Sequence, residues 1–193
     1  MDEVLKIKEL MVSDRPNGWD TLPDIDLYMD QVVSYLPRQT VGGKAPAITS
    51  AMINNYVKDG LMPRACGKRY HKEHLVYLTT IGLLKNVLTV KDMKLLLDHE
   101  IHEGNEEAFY EHFLARVDEA FSGTNLGLEE DLKEEELAEA AMFLALTSCA
   151  AKTACEHLLT VIRSREPQEE PKAKKEKEKE AAKKAKADKK SQE

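Results

Sequence analysis

The stretch Thr49–Tyr70 reads T-S-A-M-I-N-N-Y-V-K-D-G-L-M-P-R-A-C-G-K-R-Y. Its first half predicts a short helix marked at both ends. Thr49 or Ser50 is an N-cap, a residue whose hydroxyl accepts a hydrogen bond from a first-turn amide. Gly60 stands where a left-handed residue closes a helix, Leu61 follows as the apolar residue that packs back, and Pro63 confirms the stop. Met52, Ile53, Tyr56 and Val57 lie at helical spacing and form one apolar stripe. The opposite arc holds Ser50, Ala51, Asn54, Asn55 and Lys58. Asparagine competes for backbone hydrogen bonds and is a poor helix former, so two of them side by side point to an outward face kept for another purpose. The second half, Arg64–Tyr70, sets a glycine among basic residues and predicts a small hairpin.

Outward from this core the pattern is helical. Residues 1–12 predict a helix with Val4, Leu5, Ile7 and Met11 as its apolar contacts, followed by a breaker-rich turn, Ser13–Trp19. A second helix is predicted from about Asp24 to Leu36, capped by Asp24 or Asp26 and ended by Pro37, with Leu27, Val32, Tyr35 and Leu36 inside. A loop runs to Ala47 through Gly42-Gly43. His71–Lys85 carries Leu75, Leu78, Ile81 and Leu84 at helical spacing, and Thr89 caps a further helix holding Val90, Met93, Leu96 and Leu97. In Asn105–Ser122, Phe109, Phe113, Val117 and Phe121 recur every fourth residue. After a turn at Gly123–Gly127, Leu128–Arg165 predicts a long helix, acidic at first and nearly all apolar in its middle. A helix apolar on most sides is buried, and in a chain this small a subunit interface is where that burial is expected. Beyond Pro167 the chain is almost entirely Lys, Glu and Ala, the composition of a solvated, disordered tail.

Composition agrees with an all-α, mainly helical chain. Apolar residues make up 42% of the 193 residues and aromatics 6%, with leucine, alanine and methionine common. The net charge of −7 hides an asymmetry: residues 44–94 hold nine basic and three acidic residues, while residues 95–170 hold five basic and nineteen acidic. A basic block inside an acidic protein predicts a polyanion-binding face. Asp2 and Glu3 are acidic and no long apolar region follows, so no targeting segment is expected, and the longest uncharged apolar run, near Ala140–Ala151, is shorter than the roughly twenty residues a bilayer needs. A cytoplasmic protein without a membrane partner is expected. Cys66, Cys149 and Cys155 form no C-x-x-C pair and predict neither disulfides nor a zinc site. His99-Glu100-Ile101-His102 is one residue short of the H-E-x-x-H that places two histidines and a base on one helix face. Gly42-Gly43-Lys44 lacks the strand and spacing of a phosphate loop. With no nucleophile motif or dinucleotide fingerprint, neither an enzyme, a cofactor nor a metal is expected.

Helix, loop, helix with an asparagine face, basic hairpin, helix, helix is the order of a winged helix-turn-helix, whose second helix enters the major groove while the hairpin meets phosphates. Ile48–Leu97 resembles the DNA-binding domain of MerR-type regulators in its cap at Thr49, its Tyr56-x-x-x-Gly60-Leu61, its basic wing ending Lys68-Arg69-Tyr70, and its two helices joined at Thr89. Two features depart from that pattern. The loop Pro37–Ala47 is several residues longer, and Asn54 and Asn55 stand where the larger family has arginine and tyrosine. L-Y-M-D-Q-V at Leu27–Val32, together with M-I-N-N-Y-V-K-D-G-L, is similar to a bacterial family called domain of unknown function 1836, over roughly Pro23–Asp98. The resemblance implies a sequence-specific transcriptional regulator that binds double-stranded DNA. The expected organisation is an arm (1–22), a MerR-like winged domain (23–98), a helical domain (99–166) and the charged tail (167–193). Asn54 and Asn55 are the candidate base readers, since asparagine bonds adenine bidentately, on a face that also presents Thr49, Ser50 and Ala51. Lys58, Arg64, Lys68, Arg69 and Lys72 are the candidate phosphate contacts, and Tyr70 either reaches a phosphate or anchors the wing. The C-terminal helices are expected to make a homodimer. The alternative is a protein-interaction adaptor that works through the acidic helical half without specific DNA binding.

Overall fold

A computed structural model describes residues 2–129 and 132–166; the expected tail lies outside them. Seven α-helices appear among the described residues: α1 Asp2–Ser13, α2 Met29–Tyr35, α3 Ser50–Lys58, α4 Lys72–Leu84, α5 Val90–Glu100, α6 Glu106–Leu126 and α7 Leu137–Arg165. Extended pairing among these residues is confined to three isolated antiparallel bridges, Leu27–Tyr70, Val41–Lys44 and Cys66–Arg69. The chain is mainly helical, as composition predicts. Residues up to Leu159 belong to one compact unit, and the last turns of α7 from Thr160 to another; the core described here is that of the first.

The core lies where α4 meets its neighbours. Leu75, Val76, Leu78 and Ile81 of α4 are fully buried, as are Val32 of α2 and Ile53 of α3. α6 packs along α1 and α4 and against the short 3-10 turn Trp19–Thr21. It is pinned by Tyr110, whose buried hydroxyl donates to the carbonyl of Asn17 at 2.8 Å. Burial pushes that hydroxyl's pKa up, so it remains a donor throughout the physiological range.

Helix boundaries differ from the sequence reading in three places. α2 begins at Met29 rather than near Asp24, because Leu27 pairs with Tyr70 and holds the preceding backbone extended. The turn expected at Gly123–Gly127 is mostly helix: α6 continues to Leu126, with the Thr124 hydroxyl donating back to the Ala120 carbonyl at 2.9 Å. α7 begins at Leu137 rather than Leu128, after a 3-10 turn at Glu134–Glu136, where the Glu136 carboxylate accepts from the Lys133 amide at 2.9 Å.

The long loop before α3 has a structural role. Val41 and Lys44 exchange two backbone hydrogen bonds of 3.1 Å around Gly42 and Gly43, both at positive φ. This is the two-residue turn that needs left-handed backbone at both central positions. It fits between helices: a Cβ on Gly42 would lie 2.9 Å from a ring carbon of Phe121 in α6 and 3.7 Å from the sulfur of Met11 in α1. The extra residues thus let the chain touch α1 and α6 before it enters α3. Gly42→Ala, strained in backbone and crowded by an aromatic ring, is expected to cost about 1–3 kcal/mol. A thermal melt followed by circular dichroism should show the midpoint lowered by roughly 2–4 °C per kcal/mol; an unchanged midpoint would show that the turn does not depend on glycine.

Candidate nucleic-acid interface

The asparagine helix is fixed at both ends. At its start the Thr49 hydroxyl accepts from the Met52 amide at 3.3 Å. At its end Gly60, at φ +67°, donates to the Val57 carbonyl at 3.2 Å, and Leu61 donates to the Tyr56 carbonyl at 2.8 Å. Those two bonds make the Schellman closure, and Leu61 is buried as the motif's apolar partner. Lys94 of α5 adds a tether, its ammonium donating to the Gly60 carbonyl at 2.7 Å. Ile53 and Tyr56 face the core, with Met52 and Val57 half-buried beside them. Thr49, Ser50, Ala51, Asn54, Asn55 and Lys58 are all exposed. Among the described residues neither asparagine side chain has a hydrogen-bond partner. The amide groups of Asn54 and Asn55 therefore stand on a rigid support with their donors and acceptors open.

The segment expected as a wing is a minimal hairpin. Cys66 and Arg69 exchange backbone hydrogen bonds of 3.0 and 2.9 Å around Gly67 at φ +56° and Lys68 at φ +67°. Both central residues are left-handed, the type I′ geometry. Lys68 is the one non-glycine residue at positive φ among those described, and a side chain in that region carries a steric cost. Its side chain projects from the tip. Tyr70 follows, buried, and exchanges backbone hydrogen bonds of 2.9 and 2.8 Å with Leu27. Tyr70 thus anchors the wing to the chain entering α2.

The basic side chains divide into two groups. Arg69 lies over the Tyr28 ring, 4.7 Å from its centroid, and donates to the Tyr28 hydroxyl at 2.9 Å. Lys72 pairs with Asp24 at 2.6 Å and lies 4.8 Å above the Trp19 ring, with 15% of its side chain exposed. These two cations hold the wing and the start of α4 to residues before α2. Lys58, Arg64 and Lys68 are exposed and have no ion-pair partner among the described residues. Lys68 and Ser50 share one shallow depression with Tyr28, Met29, Asp30, Val33 and Ser34 of the α2 region. The wing tip and the start of α3 therefore border one surface. The sequence reading did not include the α2 residues in it, although Tyr28, Met29 and Asp30 sit in the L-Y-M-D-Q-V run that carried a family resemblance.

Two histidines set the junction between wing and α4. His71 contacts Asp26, Nδ1 to Oδ1, at 2.5 Å. His74 is buried; its Nδ1 accepts from the His71 amide at 3.0 Å, so its Nε2 carries the proton and donates to the Arg64 carbonyl at 3.2 Å. The first of these bonds needs the neutral ring, and burial, the largest cause, lowers its pKa from the ordinary 6.5.

His99 lies in the last turn of α5 and His102 beyond its end. Among the described residues no cluster of three or more His, Cys, Asp or Glu could hold a metal ion. A second surface lies away from the wing. An apolar cavity of about 680 Å³ opens between α4, α5 and α6, lined by side chains that include Leu83, Leu84, Leu96, Phe109, Phe113 and Phe121. The recurrence of aromatic residues every fourth position in α6 thus faces an open groove. The apolar middle of α7 is uncovered as well: Met142, Phe143 and Leu146 are 62%, 68% and 62% exposed. Within a single chain this arc is not buried. By length and composition alone, Glu134–Arg165 is long and apolar enough to cross a membrane; it also carries a Lys152–Glu156 pair at 3.9 Å.

A family model described as "Domain of unknown function (DUF1836)" matches residues 17–113, from the segment before α2 into α6. No curated protein and no solved structure matches the chain.

The His74 geometry predicts a pH dependence of stability. Because its folded pKa lies below the unfolded value, the neutral ring's contribution is present above about pH 6.5 and is lost as pH falls toward the folded value. Melts between about pH 7 and about pH 5 should show a falling midpoint, with the drop reduced in His74→Asn. An equal drop in both proteins would assign the effect elsewhere.

Proposed function

As the chain belongs to the family described as Domain of unknown function (DUF1836), whose description assigns no activity, we propose from its geometry a sequence-specific DNA-binding transcriptional regulator. In this reading α2, α3, the Cys66–Arg69 wing, α4 and α5 are a winged helix-turn-helix of MerR type. α3 lies in the major groove, Asn54 and Asn55 meet base edges, and Lys58, Arg64 and Lys68 meet phosphates. Arg69 and Lys72 position the wing, and Tyr70 anchors it. Two copies, joined through C-terminal helices, set the spacing between half-sites.

The observation that carries this reading is the pairing of Lys68's backbone strain with its position. A type I′ turn favours glycine at this place. Lysine there costs stability, and the residue borders one depression with Ser50 at the start of α3, the helix whose outer face offers two asparagine amides unbonded among the described residues. An unfavourable backbone at a projecting side chain is an observation from which function is inferred. The charge distribution supports it, since the basic block of residues 44–94 coincides with α3, the wing and α4.

The adaptor reading draws on the open groove and the uncovered α7, and the same variants separate the two. Lys68→Gly is expected to raise stability by roughly 0.5–1 kcal/mol while weakening DNA binding. Asn54→Ala and Asn55→Ala should each reduce discrimination between sites by about 1–3 kcal/mol. Selection of bound fragments from genomic DNA, followed by titration at low and moderate salt, measures both. Neutralising a single phosphate-binding cation should lower the salt slope by nearly one unit. Absent or sequence-independent binding would overturn the regulator reading. Loss of cellular function on changing Phe109 and Phe113, but not Asn54 and Lys68, would favour the adaptor.

A further inference from the structure

We propose that two copies of this chain exchange α7, with Met142, Phe143 and Leu146 of each copy seated in the α4–α5–α6 groove of the other. The proposal rests on the homodimer of the regulator reading and names the surfaces that form it.

One chain carries two apolar surfaces that leave each other uncovered. The first is the groove, walled by Leu83 and Leu84 of α4, Leu96 of α5 and Phe113 and Phe121 of α6, with Val87 at its edge 43% exposed. The second is a ridge on α7. Phe143 follows Met142 directly and Leu146 lies one turn further, so the three share an arc. Leu144 and Leu159 lie on the opposite side, Leu144 half-buried and Leu159 1% exposed. α7 is thus covered by its own chain at Leu159 and partly at Leu144, while the arc of Met142, Phe143 and Leu146 is left mostly in water, Phe143 also bordering a cavity with Leu128 and Leu132 of its own chain. Contiguous apolar surface of this extent marks an interaction site.

A second copy is the occupant that accounts for both surfaces. A small molecule in the groove would leave the α7 ridge exposed, and pairing α7 with α7 would leave the groove open. Reciprocal insertion covers each ridge and each groove in one closed, two-fold arrangement, in which the same patches serve both partners. Each ridge presents on the order of 350 Å² of apolar area; with the smaller groove surfaces opposite, two insertions bury roughly 1,100 Å², just above the ~1,000 Å² that a specific interface clears.

Crosslinking in trans tests this on the full-length chain with Cys66, Cys149 and Cys155 changed to serine. Val87→Cys marks the groove and Met142→Cys marks the ridge, both at exposed positions where folding is not at stake. The two single-cysteine proteins are treated separately and mixed with a short thiol-to-thiol crosslinker. The result expected is a crosslinked dimer that forms strongly only in the mixture. The unmodified chain should have a dimer's mass by light scattering, and Phe143→Ser should give a monomer with an unchanged circular dichroism spectrum. Strong crosslinking of Met142→Cys to itself, with none in the mixture, would overturn the exchange and leave the dimer standing as an α7–α7 pair. A monomeric mass for the unmodified chain would overturn both. Co-flotation of the chain with anionic phospholipid vesicles, in place of dimer formation, would also overturn it by assigning the ridge to a membrane. Binding to DNA fragments is measured separately, so failure of the regulator reading stays distinct from failure of the exchange.

Discussion

The reciprocal backbone pairing of Leu27 with Tyr70 is the constraint on which the surface shared by α2, α3 and the Cys66–Arg69 hairpin depends. Its two hydrogen bonds join residues 43 positions apart and fix the chain entering α2 against the chain leaving the wing. Both residues are buried, so the bonds are shielded from competing water, where an unpaired backbone group is costly. Around them gather Arg69 on Tyr28, His71 with Asp26, and Lys72 between Asp24 and Trp19. Exposed ion pairs contribute little individually; here they follow a register that the backbone pair has already set. Without that pair the turn around Gly67 and Lys68 would be a loose loop, and Lys68 would have no fixed relation to Ser50.

α3 is held from its ends and its inner face, which leaves the outer face free of structural duty. Thr49 caps one end; Gly60, Leu61 and Lys94 close the other. Ile53 and Tyr56 supply the buried contact. A nine-residue helix is far below the length at which a helix is stable alone, so these caps and contacts determine whether it forms. They also explain why two weak helix formers are tolerated at Asn54 and Asn55: the unfavourable propensity of a few tenths of a kcal/mol each is small beside capping and burial.

Much of this was legible in the sequence because it is local. Thr49, Gly60, Leu61 and Thr89 carry their capping signal within a few residues, and the α3 stripe and the wing follow from spacing. The partners of Arg69 and Lys72 were not legible. Their counterparts, Tyr28 and Asp24, lie more than 40 residues away, and nothing in a run of basic residues tells which cation is already engaged. The Asp24 and Asp26 carboxylates read as helix caps and instead meet Lys72 and His71, because the Leu27 bridge keeps that segment extended. The double glycine at Gly42 read as part of a loop; only the approach of Phe121 and Met11 shows why side chains are absent there.

The sequence by itself determined the helical class, the capped asparagine helix, the basic turn after it and the separation of charge along the chain, since each rests on neighbours within one or two turns. The tertiary structure alone decided which cations face outward, that the Phe109–Phe113–Phe121 row of α6 lines a groove while Tyr110 fills the core, and that the apolar arc of α7 stays in water. Periodicity records how much apolar surface a helix carries. Whether another element covers that surface depends on contacts between segments far apart in the chain, and those exist only once the chain has folded.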